Sequence, residues 1–398
     1  MTTTSPKRIA LFMDGTWNTP ESDTNVHRLY DKTLDIPGQQ IRMYFPGVGT
    51  SWGSYFTGGL FARGMTDIIH EVYERLAKVY HPGDQVYLFG FSRGAFEVRA
   101  LLGFLDTCGL VAPDGPLTVT KLWNQYEQVH KNPKARTLDE LLKLPTEKLS
   151  PIEAEMVKHC TPISVHFVGI FDVVAADPQS DQHKYGQNPT KVGRIVHAMA
   201  MDEHRGTFQV MYCEEPPKRF TAHMDLGSIR QITSKGDEDT DDISLEDKQA
   251  MHFVEQRWFP GVHSNVGGGF SPGDELSKIP LRWVQQSAKQ QGLVFNHEVD
   301  LDGKEHLRSP NQMDIDWKQR VMKLGRNNYR IINTDTSVNE TIDKSVFERY
   351  QNKAMNYAPE NLKRWANALK INLDTITPAD LWAETGTPVK HSCHDDEN

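Results

Sequence analysis

Cysteine is scarce in this chain of 398 residues: Cys108, Cys160, Cys213 and Cys393 are its four, widely spaced and with no CxxC pair. A cysteine-built zinc cage or a disulfide framework is therefore not expected, and reduced thiols in a cytosolic protein are the simpler reading. Long apolar runs are missing too. None approaches the roughly 20 residues needed to span a bilayer. The stretch Met1 to Arg8 is polar and leads straight into a strand pattern, so it lacks the apolar core of a signal peptide. The chain is thus expected to be cytoplasmic as synthesised, and any export to use a signal-independent secretion route. Positive charge is in deficit, 44 Lys and Arg against 53 Asp and Glu for a net charge of −9. No nucleic-acid partner is expected from that balance, although a local basic patch meeting an anionic head group at a membrane surface stays compatible with it. Internal repeats and low-complexity tracts are absent as well.

What is present fits a globular enzyme. Apolar residues make up 38% and charged residues 24%, and the length suits one elaborated domain. Ile9 to Met13 reads as a buried strand ending in Asp14-Gly15-Thr16. Asn25 to Leu34 reads as a helix, and Ile41 to Phe45 as a strand stopped by Pro46-Gly47. Met65 to Val79 carries Ile68, Ile69, Val72, Leu76 and Val79 at helical spacing. After His81-Pro82-Gly83-Asp84 come a strand, Val86 to Phe89, and a helix, Ala95 to Leu105. This alternation implies an α/β-hydrolase-like, mostly parallel sheet with helices on both faces.

From Val111 to Cys160 the pattern is helix after helix with no strand, as expected of a cap inserted over a site. A strand is expected over Ile163 to Phe171, a helix over Lys191 to Met201, an apolar segment over Phe253 to Phe259 and a helix over Leu281 to Gln291. The acidic run Asp237 to Asp242 lacks the D-x-D-x-D-G order of a calcium loop and reads as a solvated loop. The expected division is residues 1–110 for the first half of the core, 111–160 for the helical cap, 161–295 for the second half and 296–398 for an extension with a frayed tail from His391.

Gly90-Phe91-Ser92-Arg93-Gly94 sits between a strand and an apolar helix, the setting of a nucleophile elbow. Small residues on either side let strand and helix approach closely, and the serine hydroxyl projects at a helix N-terminus, which favours a developing oxyanion. A glycine turn with a serine N-cap is the bland alternative. Serine needs a base, and the base an orienting acid. Asp172 lies just past a strand end. His263 lies among Pro260, Gly261 and Gly267-Gly268-Gly269, on a turn rather than a core face. His70, His166, His197 and His204 sit on or beside regular elements and compete less well. Asp14 also ends a strand and is the alternative acid. The oxyanion donors are expected from the N–H of Arg93 and from Gly15 or Thr16. A phosphatase-like reading of Asp14-Gly15-Thr16 would want a second Asp where Phe12 stands.

Leu11 to Asn18, Pro46-Gly47-Val48-Gly49-Thr50, Gly90 to Phe96 and Trp258 to Ser264 together resemble the DUF2235 family of α/β-hydrolases, which includes type VI secretion lipase effectors of the Tle1-like phospholipase kind. Ser345-Val346 and Tyr357 to Leu362 give a weaker echo. Phe171-Asp172-Val173-Val174 stands where the family has Trp-Asp-Thr-Val, Asn265 where an Asp usually follows His-Ser, and Asp343 where a His often precedes Ser-Val. The resemblance implies hydrolysis of an ester, with phospholipid as the substrate class of the effector members. On that footing Ser92, His263 and Asp172 form the expected triad, and no metal or organic cofactor is required. The expected partner is a lipid or small ester, with transient membrane-surface contact compatible; aromatics such as Trp52, Tyr55 and Phe56 either meet a lipid or simply pack. An esterase for a small non-lipid ester, and a binding or sensor module on a hydrolase fold, are the alternatives.

Overall fold

The run Ile9 to Met13 has no polar residue to turn towards water, and in the structure all of it is buried. Such a strand must be covered on both faces, which a parallel sheet in an α/β fold provides. The structure, a computed structural model, describes residues 6–47, 58–113, 115–131, 136–174, 191–206, 208–213, 254–270, 273–308, 329–332, 340–376 and 387–388. The strands are β1 (Arg8–Met13), β2 (Gln40–Phe45), β3 (Gln85–Phe91), β4 (Leu110–Val111), β5 (Cys160–Thr161), β6 (Phe167–Phe171), β7 (Ile195–Ala200), β8 (Val254–Phe259), β9 (Glu340–Ile342) and β10 (Thr387–Pro388). Eight of them form one sheet in the order β10-β9-β8-β7-β6-β3-β1-β2, and every neighbouring pair is parallel except β9 and β10.

The helices are α1 (Asn25–Lys32), α2 (Gly58–Val79), α3 (Arg93–Cys108), α4 (Val119–Lys131), α5 (Leu138–Leu141), α6 (Pro151–His159), α7 (His263–Gly267), α8 (Lys278–Gln290), α9 (Glu305–Arg308), α10 (Lys344–Gln351) and α11 (Glu360–Ala368). Alternate strand residues point to opposite faces, and the core divides accordingly. Ile9, Leu11 and Met13 join Val72 of α2 and Leu101 of α3. Ala10 and Phe12 join Leu29 of α1 and Val284 of α8. There Phe12 stacks on Phe89 at 4.7 Å, a pair worth about 0.5–1.5 kcal/mol beyond its buried area. Among the described residues no helix is long and apolar enough to cross a membrane.

Three sequence expectations change. Lys191 to Met201 is not a helix. Ile195–Ala200 is strand β7, and all six residues are buried between β6 and β8. A strand covered on both faces shows no alternation, and its alanines and methionine read equally well as helix. The helical insertion is present, but Val111 and Cys160, expected within a strandless stretch, pair as β4 and β5 and clamp its two ends together. Its α4 packs beside α2 and α3, with Trp123 edge-on to Phe104 at 5.2 Å and to His70 at 5.4 Å. Residues 296–398, expected as an extension, supply β9 and β10 to the main sheet. They also supply Val346, Phe347, Leu362 and Trp365 to a third core cluster around Met199 and Trp258. The acidic run 237–242, the aromatics at 52, 55 and 56, and the tail from residue 391 lie outside the described residues.

Candidate active site

Ser92 stands between the end of β3 and the first residue of α3 with φ 56° and ψ −120°. That left-handed conformation is unusual for a residue with a side chain and is held by its surroundings. Ser92 N donates to Phe171 O at 3.0 Å, which ties the turn to the neighbouring strand β6. Gly94 shows why the turn needs small residues. A Cβ there would lie 2.3 Å from Met13 O and 2.4 Å from Asp14 O, so only glycine lets α3 begin against the end of β1.

Asp172 follows β6, also at positive φ (43°), and is 0% exposed. Its Oδ1 accepts from Ala200 N at 2.8 Å, and its own N–H donates to Ala198 O at 2.7 Å. His263 opens α7 after β8 and is 5% exposed. Residues 92, 172 and 263 are far apart in sequence, yet the ends of β3, β6 and β8 all lie at the carboxyl edge of the sheet. There His263 Nδ1 lies 2.6 Å from Asp172 Oδ2, and His263 Nε2 lies 2.8 Å from Ser92 Oγ. A carboxylate only accepts, so Nδ1 carries the hydrogen and the Nε2 lone pair faces the serine hydroxyl. The imidazole is flanked by Phe91 at 4.7 Å and meets Phe208 edge-on at 5.0 Å.

The loop that presents His263 is held from the end of β7. Asp202 Oδ2 accepts from Gly261 N at 2.6 Å, and Glu203 Oε2 from His263 N at 3.3 Å. Burial pushes the Asp202 carboxyl up to about 6, despite its bonds from Gly261 and Tyr357. Asn265, which replaces the usual Asp, accepts from Val262 N at 2.9 Å and closes the same turn.

Asp14, the alternative acid, is engaged elsewhere. Its carboxylate accepts from Gly15 N at 2.7 Å, Thr24 Oγ1 at 2.6 Å and the Tyr44 hydroxyl at 2.7 Å, and so shapes the loop after β1. That loop lies against the elbow, since a Cβ on Gly15 would be 3.3 Å from Ser92 Cβ. The Gly15 N–H expected for an oxyanion is turned to Asp14 instead, which leaves Thr16 N–H as the loop's candidate. Arg93 N–H lies in the first turn of α3, where a helix offers no internal acceptor.

Three of the competing histidines, His166, His197 and His204, are engaged with other groups. His197 is fully buried, with Nδ1 3.1 Å from Gln256 Oε1 and Nε2 accepting from Val173 N at 3.2 Å. Burial lowers it to about 4, so it is neutral. His166 reaches Gln291 O at 3.1 Å and His204 reaches Asp202 O at 3.0 Å. No group of three or more His, Cys, Asp and Glu set to hold a metal ion occurs among the described residues.

One residue of the site has no sequence signal. Arg330, in the polar stretch beyond Val294, forks onto Asp172 with Nη1 2.5 Å from Oδ1 and Nη2 3.0 Å from Oδ2. Burial alone would raise the Asp172 carboxyl. The Arg330 guanidinium and the His263 bond outweigh it and hold Asp172 well below the usual carboxylate range.

Comparison with known proteins gives one family match: the model described as the type VI secretion (T6SS) phospholipase effector Tle1-like catalytic domain matches residues 7–287. An uncharacterized protein of Saccharomyces cerevisiae is 24% identical, over 73% of this chain and 58% of its own length, so the chain spans little more than half of that relative. Among solved structures, an uncharacterized protein from Pseudomonas aeruginosa aligns with 16% identity and a TM-score of 0.40, over 74% of this chain and 47% of that one. A Tle1 effector bound to the VgrG spike of the type VI secretion system aligns with 16% identity and a TM-score of 0.33, over 68% of this chain and 53% of that one. The SOBER1 protein of Arabidopsis thaliana aligns with 10% identity and a TM-score of 0.32, over 72% of this chain and 99% of that one.

Proposed function

The chain belongs to the family of the type VI secretion phospholipase effector Tle1-like catalytic domain, and we propose that it is a serine hydrolase that cleaves carboxylic ester bonds of lipids, phospholipids foremost. The observation that carries this reading is the unbroken hydrogen-bonded line from Ser92 Oγ through His263 to Asp172. Phospholipid as the substrate class rests on the family alone.

In the proposed reaction His263 Nε2 takes the Ser92 proton as Oγ attacks the ester carbonyl. Asp172 keeps the imidazole in the Nδ1–H form and stabilises the imidazolium that develops. The N–H groups of Arg93 and Thr16 receive the oxyanion, each such donor being worth about 2.7–4 kcal/mol of barrier. His263 then returns its proton to the leaving alcohol. A water, activated in the same way, attacks the acyl-serine and releases the acid with Ser92 restored.

Wild type and Ser92→Ala are to be compared on p-nitrophenyl butyrate and on phospholipid vesicles, with products identified by mass spectrometry. Loss of ester turnover in Ser92→Ala supports the nucleophile, and equal rates overturn it. Turnover of the short ester without any lipid product would keep the chemistry and overturn the lipid substrate. Signal-independent export of type VI kind belongs to the same proposal and follows the family description only.

A further inference from the structure

Arg330 is placed as no ordinary buried ion pair needs to be. Its five N–H groups are all engaged: Nη1 with Asp172 Oδ1 and Ala200 O, Nη2 with Asp172 Oδ2 and Phe208 O, and Nε with Phe208 O. A guanidinium has five donors and no acceptor, so none is left to bind substrate. The residue is 3% exposed. What it does reach is the acid behind His263, the end of β7, and the carbonyl of the residue whose ring packs edge-on against His263. It also lies beyond residues 7–287, the part that matches the catalytic-domain family.

We infer that Arg330 is a positioning residue for the reaction: it fixes the Asp172 carboxylate and the Phe208 wall, and sets the pH at which the Asp172–His263 pair loses its proton. The inference rests on Ser92, His263 and Asp172 acting as a triad. A bidentate fork holds a carboxylate in one plane, which a single bond cannot do. Here that plane aims Oδ2 at His263 Nδ1, and the same Oδ2 accepts from Arg330.

The charge has a second effect. At low pH the pair holds one extra proton, and a fixed positive charge beside the pair favours its release, whichever of the two groups carries it. Among the described residues, the other charged groups near the pair are Asp202, Glu203 and Arg205 from the segment after β7 and, from α3, Arg93, which faces Glu97, and Arg99, which donates to Met211 O. Arg205 is paired with Glu203 and lies over the Phe208 ring. From α1, which also packs on α7, Arg28 turns to Asp23 and Ser277. His197 of β7 is neutral. Among the described residues Arg330 is thus the cation hydrogen-bonded to Asp172.

The test uses wild type, Arg330→Gln, Arg330→Lys and Ser92→Ala as the whole chain, with kcat and KM for p-nitrophenyl butyrate measured from about pH 5 to 10 and melting curves alongside. Arg330→Gln should lower the plateau kcat by about tenfold to a hundredfold with KM unchanged, and move the acidic limb of kcat/KM up by about one to two pH units. Arg330→Lys keeps the charge but not the fork. It should return the limb to the wild-type position while recovering only part of kcat. A profile for Arg330→Gln that superposes on wild type, or a loss of kcat with the limb unmoved, overturns the inference. If the Gln variant does not fold, wild-type kcat in Arg330→Lys does the same. Full activity in Ser92→Ala overturns the triad itself, whereas an inactive Ser92→Ala beside an unaffected Arg330→Gln overturns only the role of Arg330.

Discussion

Replacing Asp172 by Asn in this site should cost stability as well as activity. The activity loss is the expected one: an amide in place of the carboxylate favours the wrong imidazole tautomer, and kcat should fall about 10⁴-fold. The stability loss comes from Arg330, whose side chain is 1% exposed and would lose the carboxylate it is hydrogen-bonded to. Two unit charges about 4 Å apart at an effective dielectric of about 20 interact by roughly 4 kcal/mol. Breaking a buried pair by removing one partner costs about 3–5 kcal/mol, a large part of the total stability of a typical domain. Urea denaturation followed by tryptophan fluorescence should therefore show a clear fall in midpoint for Asp172→Asn. A double variant, Asp172→Asn with Arg330→Met, removes the stranded charge and should recover at least half of the lost stability while staying inactive. Wild-type stability in the single variant, or no recovery in the double one, would refute the account of Arg330 as a charge compensated by Asp172.

Other changes have equally direct readouts. Gly94→Ala would set a methyl against the Met13 and Asp14 carbonyls at 2.3 and 2.4 Å, and because both are backbone the loop after β1 must move. About 1–3 kcal/mol of stability and most of the esterase rate should be lost, and a fully active Gly94→Ala protein would show that the loop has room. Asp202 has its carboxyl raised from 3.8 to about 6 in the folded state. Its protonated form is therefore favoured by folding, and that stabilisation, present at low pH, is lost as pH rises from about 4 to 6, by roughly 3 kcal/mol at most. Asp202→Asn keeps an acceptor for Gly261 N without the charge. It should melt above wild type at pH near 8 and lose that advantage near pH 4, and a pH-independent difference would sink the idea.

The parts of the site that were legible in the sequence are those encoded locally. Ser92 is flanked by a strand, two glycines and a helix within a dozen residues, and His263 sits in a run of turn-formers, so neighbouring residues alone mark both. Asp172 needed only the recognition of β6. The loop after β1 was half legible. Its position followed from Asp14-Gly15-Thr16, but the Gly15 N–H is turned away by a carboxylate whose other partners, Thr24 and Tyr44, come from later elements. β7 was misread because burial on both faces erases the period that distinguishes strand from helix. Arg330 was invisible for a different reason: an arginine in a polar stretch has no spacing or pattern that tells a buried counter-ion from a solvated surface residue, and its partner lies 158 positions earlier.

The carboxyl-edge geometry also fixes when Ser92, Asp172 and His263 can first meet. Residue 92 meets residue 263 only after β6, β7 and β8 have been laid beside β3 in order. A ribosome that has released the chain as far as β6 has therefore delivered Ser92 without His263. Synthesis proceeds at about 5–20 residues per second, so the interval between elbow and base is on the order of ten seconds or more, and the interval to Arg330 longer still. During that time the nascent chain carries Ser92 without the imidazole that faces it in the finished fold.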